Sequence, residues 1–507
     1  MVHRTSAPAL MILWLVLAAA PIAALAGDPY LATYRRGGDH VFWFAQISDT
    51  HINTTEEPRE RLWWACTTFL ETVEPVVLFN TGDLVDGTNG GLIPMFAPSP
   101  DEWSEYMSTV DDAGMTIEVY LDVVGNHDHY NDAGNTYYLE HTVMGRTVGA
   151  CQYSLRLDLP FGSYHFFVAD TTASDGLPWP SDFVEMSGLE LSELTGQLTE
   201  HEDVDLTFVL GHHSWQSVLP WLGHDDFVSA LQGAAAFYIH GHWHDTDSYI
   251  DSDIVTFQLN SSGKGGGDSQ LAVYAVDNDA LSVGHTQFDD PWPLIVITAP
   301  AASELFDGET NPYAYPVETG CADNPVRALA FDQAPIAAVR FRVDRGEWRP
   351  MDPHPRTAHL YQGAFDAAAL AAGDHVLDVE VEGSAVRSRS MSFWVAEGSC
   401  TLEDETPDGD ADADVDGDAD ADGDGDADAD VDTDGDVDGD ADGDAGTDGD
   451  VDGDVDGDVE SDLDGDADAS DVDLETDAED GGGFRSEGGC SCSAARRRSA
   501  TFVRLAP

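Results

Sequence analysis

Val41-Phe42-Trp43-Phe44-Ala45-Gln46-Ile47, followed by Ser48-Asp49-Thr50-His51, decides how the rest of this chain is read. The apolar run has the length and composition of a strand, and it stops on an acid and an imidazole two positions apart. The same event recurs four times. Val76 to Phe79 ends at Gly82-Asp83, and Ile117 to Val124 ends at Gly125-Asn126-His127-Asp128. Leu206 to Leu210 ends at Gly211-His212-His213, and Phe237 to Ile239 at Gly241-His242-Trp243-His244. Taken singly, Asp83 or Asn126 after glycine reads as a turn former, and Asp49 or Asp86 as a turn or helix cap. A lone histidine at a strand end is usually a surface turn residue. Taken in order, they are hard to explain as turns. Neighbouring strand ends lie close in space, so residues distant in sequence converge on one rim. Imidazole mixed with carboxylate and amide oxygen suits Mn, Fe, Zn or Co better than Ca or a soft metal.

Between these strands the pattern turns helical. Leu62, Ala65, Cys66, Phe69 and Val73 recur at helical spacing within 56–73, and 101–113 and 188–202 also read as helices. Further strands are expected over 153–159, 165–170, 254–259 and 271–276, the first two split by Pro160-Phe161-Gly162-Ser163. Strands alternating with helices predict a layered α/β domain over residues 28–290. After Asp289-Asp290-Pro291 come short strands at 294–297, 326–331, 338–343, 358–365 and 375–381. Their spacing predicts a smaller all-β sandwich over 291–398.

Asp49-Thr50-His51, Gly82-Asp83-Leu84-Val85-Asp86, Gly125-Asn126-His127-Asp128, Gly211-His212 and Gly241-His242-Trp243-His244 together resemble the five blocks of the calcineurin-like metallophosphoesterase superfamily, in the family's order. That resemblance implies a four-layer fold, a β-sandwich flanked by helices. It also implies two divalent or trivalent transition-metal ions. One would be held by Asp49, His51, Asp83 and His244, the other by Asp83, Asn126, His212 and His242, with Asp83 shared. His127 would face the substrate, oriented by Asp128. The adjacency of His212 and His213 leaves both open for one ligand, with the Gly-His form favouring His212. The implied reaction is hydrolysis of a phosphomonoester or phosphodiester by hydroxide held between the metals. Phe44 to His51, Pro160-Phe161-Gly162-Ser163-Tyr164, and Ala338 to Asp344 with Gly346-Glu347-Trp348 further resemble the transmembrane protein 62-like family. In that family an immunoglobulin-like domain follows the phosphoesterase domain; here an acidic tail replaces the multi-pass membrane region.

The chain has 507 residues and a formal net charge of −76. Residues 401–480 hold 39 of the 97 acidic residues and no Lys or Arg. Such a tail, 401–483, has too little apolar surface to form a core and is expected to be disordered. Its Asp-x-Asp-Gly-Asp runs lack the fixed loop of a specific calcium site, so only loose Ca2+ association is expected there. The charge also disfavours long nucleic acids, whereas metal ions reverse its sign locally for a small phosphoester. The only lysine, Lys264, sits in the Gly263-Lys264-Gly265-Gly266-Gly267 loop, which is expected near the site.

Arg4, the apolar stretch Leu10 to Ala20 and Ala24-Leu25-Ala26 read as a cleavable signal peptide over 1–26, hence an exported protein: secreted, periplasmic or cell-surface. Cys321 and Cys400 flank the second domain and are candidates to pair, as more weakly are Cys66 and Cys151. The segment 484–507, with Cys490, Cys492 and Arg496-Arg497-Arg498, resembles a bacterial sorting tail without its apolar helix. The competing class is a catalytically silent, metal-containing cell-surface binding protein.

Overall fold

β1 (Val41–Ile47) is buried along its whole length. Its alternation sends Val41, Trp43, Ala45 and Ile47 into one core and Phe42 and Phe44 into another. A strand covered on both faces must lie between layers. The computed structural model describes residues 38–402 except 54, 88–98, 133, 173–183, 187, 235–236, 265–269 and 306–309, together with the backbone of a strand at Phe502–Leu505.

After β1 come α1 (Glu56–Trp64), a π-helical turn (Ala65–Phe69) and α2 (Leu70–Val73), then β2 (Leu78–Asn80), α3 (Pro100–Asp112) and β3 (Tyr120–Asp122). Three short helices follow, α4 (Asn126–His129), α5 (Thr136–His141) and α6 (Val143–Val148), and then the hairpin of β4 (Tyr153–Leu159) and β5 (Gly162–Val168). The domain continues through α7 (Gly188–Glu200), β6 (Leu206–Leu210), α8 (His224–Ala234), β7 (Phe237–His240), β8 (Asp247–Asp251) and β9 (Ile254–Gln258). It finishes with β10 (Leu271–Asp277) and β11 (Ala280–Thr286).

One sheet has the order β11-β10-β1-β2-β3. Calling the Phe502–Leu505 strand β20, the other runs β20-β4-β5-β6-β7-β9-β8. The sheets face each other across an aromatic core in which Phe44 stacks on Tyr274 at 5.0 Å and Phe166 on Phe208 at 4.9 Å. Leu62, Phe69, Trp103 and Tyr106 cover the outer face of the first sheet. Leu194, Leu198, Phe227 and Leu231 cover that of the second. The result is helices, sheet, sheet, helices. Burying a side chain such as Phe44 completely contributes roughly 2–3 kcal/mol. Within each sheet the central strands are parallel, β1 with β2 and β3, and β5 with β6 and β7. Parallel strands present their C-terminal ends on one edge, and that edge carries the site.

Two sequence expectations change. The strand expected over 117–124 shortens to β3, because Val119 and Tyr120 donate to the Thr116 carbonyl and close a turn. Helix α8 and strands β8 and β11 went unread. β8 is half exposed and carries little apolar periodicity.

The C-terminal region comprises β12 (Leu294–Ala299), β13 (Val317–Glu318), β14 (Asn324–Phe331), β15 (Ala338–Val343), β16 (Arg349–Pro353), β17 (Leu360–Phe365), β18 (Gly373–Glu382) and β19 (Val386–Ala396). They form one sheet, β12-β14-β17-β16-β15-β18-β19-β13. β16 pairs with β15 through its first half and β17 through its second, so the sheet folds over itself. Ile295, Val326 and Phe365 then meet Phe341, Val379 and Phe393 in a separate core. A Cys321–Cys400 disulfide ties the β13–β14 connection to the segment after β19, while Cys66 and Cys151 are free thiols. The expected leader over 1–26, the acidic stretch from residue 403, and the last segment apart from the β20 backbone lie outside the described residues.

Where the two regions meet, Asp277 of β10 accepts from Arg327 Nε and Nη2, each at 2.8 Å, and from Thr298 Oγ1 at 2.7 Å. Both members of this ion pair are fully buried.

Candidate metal centre

The rim is built on unusual backbone. Asp49 (φ 50°), His51 (φ 43°), Asp83 (φ 51°), His242 (φ 75°) and His244 (φ 53°) all occupy the left-handed region. Residues with a Cβ rarely do so, and such conformations persist only where the surroundings impose them. Here the loops hold one another. Asp49 N donates to Gly82 O at 2.9 Å, His51 N to Asp83 O at 2.9 Å, and Gly263 N to Asp49 O at 3.1 Å. His242 N donates to the Asp49 carboxylate at 3.0 Å. Two glycines permit this approach. A Cβ on Gly241 would lie 1.8 Å from Ser48 Oγ, and one on Gly82, itself at φ 96°, 2.5 Å from His212 Nδ1.

Side chains from all five strand ends converge. Asp49, His51 and His244 form one group: His244 Nε2 is 3.2 Å from Asp49 Oδ1 and 3.0 Å from His51 Nε2. On the other side, His212 Nε2 lies 3.2 Å from Asp83 Oδ1 and 3.1 Å from Asn126 Oδ1. Asp83 stands between, its Oδ2 3.7 Å from His51 Nε2 and 3.8 Å from His127 Nε2. The His242 ring packs against His212 at 5.1 Å and His213 at 4.6 Å between centroids. These three histidines also place ligand atoms within 4.8 Å of one another. Every residue singled out from the sequence therefore reaches the rim.

The adjacent pair of histidines separates by hydrogen bonding. His212 Nδ1 donates to the Thr81 carbonyl at 2.8 Å, which turns the Nε2 lone pair toward Asp83 and Asn126. His213 Nδ1 is 2.8 Å from Thr171 Oγ1, and its buried Nε2 has no hydrogen-bond partner. His213 stands beside His242, and no contact to Asp83 as short as that of His212 joins it.

The electrostatics select for cations. Asp49 and Asp83 are buried, and their side-chain contacts are imidazoles, Ser48 Oγ and backbone amides, with no Lys or Arg. Burial alone would raise the Asp49 carboxyl, but His244, His212 and His51 overcome it and hold it at about 2. Asp83 is likewise well below the carboxylate range despite burial, drawn down by His212, His127 and His51. Burial would lower His212, yet Asp83 and Asp49 lift it to about 9. The rim draws positive charge onto itself, as a proton on His212 or as a metal. Mixed imidazole, carboxylate and amide oxygen fits a first-row transition metal.

Asp128 does something other than expected. Its carboxylate accepts from Leu84 N at 2.9 Å, Val85 N at 3.1 Å and Gly125 N at 2.8 Å, tying the Asp83 loop to the Asn126 loop. Burial and the nearby Asp83 raise its pKa well above the usual range. The His127 ring is held instead by Asp86, whose carbonyl accepts from Nδ1 at 2.7 Å. The Asp86 carboxylate also lies 3.4 Å from His51 Nδ1. One residue thus hydrogen-bonds one rim histidine and sets its carboxylate beside another, whereas the sequence alone marks it only as a turn or cap. Its place in Gly82-Asp83-Leu84-Val85-Asp86 was the available signal.

Residues 42–246 match the family model described as Calcineurin-like phosphoesterase. Mouse Transmembrane protein 62 is 25% identical over 370 residues, covering 69% of this chain and 54% of that protein. The chain thus spans about half the length of that curated relative, and among its described residues no helix is long and apolar enough to cross a membrane. Among solved structures, GAP50, the anchor in the inner membrane complex of Plasmodium, aligns with a TM-score of 0.36 and 14% identity, over 49% of this chain and 85% of that one. The 5'-nucleotidase from Candida albicans aligns with a TM-score of 0.33 and 15% identity, over 51% and 52%.

Proposed function

We propose that this chain hydrolyses a small phosphate monoester or diester, using two transition-metal ions held along the rim. One observation carries the reading. The two oxygens of Asp83 face different imidazoles, Oδ2 toward His51 at 3.7 Å and Oδ1 toward His212 at 3.2 Å. A carboxylate shared between two cations needs that disposition. Asp49, His51 and His244 complete one position, and Asn126, His212 and His242 the other. Ions bound there supply a water of lowered pKa and positive charge against the phosphoryl oxygens.

The chain's own residues do the rest. A carbonyl only accepts, so His127 Nδ1 carries the proton shared with Asp86, and Nε2 is the ring atom left to exchange one. Nε2 lies beside Asp83 on a partly exposed side chain, where it hydrogen-bonds the leaving oxygen and passes it a proton. Asp128 fixes the spacing between Asp83 and His127 by joining their loops. The family match over residues 42–246 supports this reaction class and leaves the substrate unassigned. The Cys321–Cys400 disulfide supports an exported chain, and residues 291–398 are assigned on this reading to an immunoglobulin-like domain.

The test is hydrolysis of p-nitrophenyl phosphate and its bis ester by the full chain with Mn, wild type against His127→Ala, with bound metal counted. We expect metal-dependent turnover of at least one ester and a loss of about a hundredfold in the variant, both metals retained. Equal rates, or no turnover of either ester by metal-loaded protein, would favour a metal-containing binding protein.

A further inference from the structure

The sandwich sends two arginines toward the phosphoesterase domain, Arg327 fully buried and Arg389 half-buried, and only the first is answered. Arg327 is held by both oxygens of Asp277. Arg389, on the same face of β19 as the core residue Phe393, is half-buried and has no hydrogen-bond or ionic partner among the described residues. Burial holds its guanidinium below the ordinary arginine range. In a chain of net charge −76, acids are abundant, so the missing partner is a matter of placement.

Arg389 lines a cavity of about 320 Å³ between β11, β12 and β19. That is large enough for a small organic molecule. Ser282 also lines it; this residue is 6% exposed, and its Oγ has no hydrogen-bond partner. The remaining wall mixes apolar side chains, Phe237, Leu281, Ile295 and Met391 among them, with the polar His285 and Asn311. Glu304, exposed, stands at the same cavity. A half-buried charge without a partner loses part of its hydration uncompensated, and a buried hydroxyl without a partner is costly as well. A single ligand carrying one negative charge answers both. A guanidinium takes a carboxylate with two parallel hydrogen bonds, and Glu304 would repel the second charge of a phosphate dianion.

We infer that the cavity between β11, β12 and β19 is a binding site for a monocarboxylate with an apolar body, its carboxylate on Arg389 and Ser282 Oγ. The site is separate from the metal rim and shares no residue with it, so it stands or falls independently of the phosphoesterase reading. Occupancy would brace the seam between the two domains, because the cavity draws its walls from both.

Calorimetric titration of the full chain with octanoate tests this, with octanol and inorganic phosphate as parallel probes. Saturable octanoate binding is expected, with octanol weaker by about tenfold or more for want of the charge-assisted bonds. Arg389→Met should weaken octanoate by at least about tenfold and leave ester hydrolysis and metal content unchanged. Ser282→Ala, a smaller change that keeps the fold should Arg389→Met disturb it, should weaken octanoate severalfold. No octanoate binding by wild type, preference for phosphate, or undiminished binding in a folded Arg389→Met or Ser282→Ala protein would each overturn the assignment.

Discussion

At the domain junction Asp277 is fully buried, and Arg327 meets both of its oxygens. At the rim Asp49 and Asp83 are equally buried and meet imidazoles in place of any permanent cation. Burying a carboxylate is expensive in either place, and the Coulombic attraction of a partner has to offset it. The junction carries its own compensation, so it is complete when the chain folds. The rim does not, and its histidines become cationic only by taking up a proton. The contrast teaches how to recognise a site for metal: acids withdrawn from water, held on left-handed backbone, with titratable imidazoles, able to give up a proton for a metal, where arginine would otherwise stand.

Breaking the rim should have the largest effect. Asp83→Asn is expected to cut metal-dependent ester hydrolysis by at least about a thousandfold and to lower the bound metal below two per chain, with the circular dichroism spectrum unchanged. Full metal content in that variant would end the idea of a shared carboxylate. Breaking the junction should act on stability and leave chemistry alone. Asp277→Asn strands the Arg327 charge and should cost about 3–5 kcal/mol in denaturant unfolding, with metal content retained. Replacing both partners, Asp277→Leu with Arg327→Met, should recover most of that loss; failure to recover would mean the pair does more than neutralise itself.

A third buried group sharpens the contrast with a smaller effect. His165 packs against His201 at 4.3 Å, and neither of its ring nitrogens has a hydrogen-bond partner. Burial, then the His201 and Arg156 charges, pull its pKa to about 3. Having neither a carboxylate nor a metal, it must stay neutral in the fold. The unfolded chain therefore binds more protons below the ordinary value of 6.5. The stability His165 permits is complete above that value and is lost as the pH falls toward 3. Acidifying from pH 6.5 to about 5 should cost about 2 kcal/mol through this residue, and His165→Leu should flatten the slope. An unchanged slope would show that His165 finds water or another acceptor in solution.

Much of this was legible in the chain itself. The strand at Val41–Ile47 has the boundaries its apolar run predicts, and the helices at 100–112 and 188–200 lie within two residues of expectation. All the ligand candidates, from Asp49 to His244, meet on one rim. Two of the strands without a sequence signal, β8 and β19, are only partly buried. β19 alternates between exposed and half-buried positions and carries Arg387 and Arg389 where a core strand would show aliphatics. The Cys321–Cys400 pairing was open in the sequence, and so was the Cys66–Cys151 pairing, which the structure does not make.

The sequence determined the layers, the order of the strand ends and the donor types gathered there, because apolar periodicity and the chemistry of individual side chains are local properties of the chain. Tertiary structure decided that Asp86 holds His127 and stands beside His51, that Asp128 binds backbone and leaves the imidazole alone, and that Arg327 is answered where Arg389 is not. Those outcomes hang on contacts between segments tens of residues apart in the chain, which meet only after the sheets have packed.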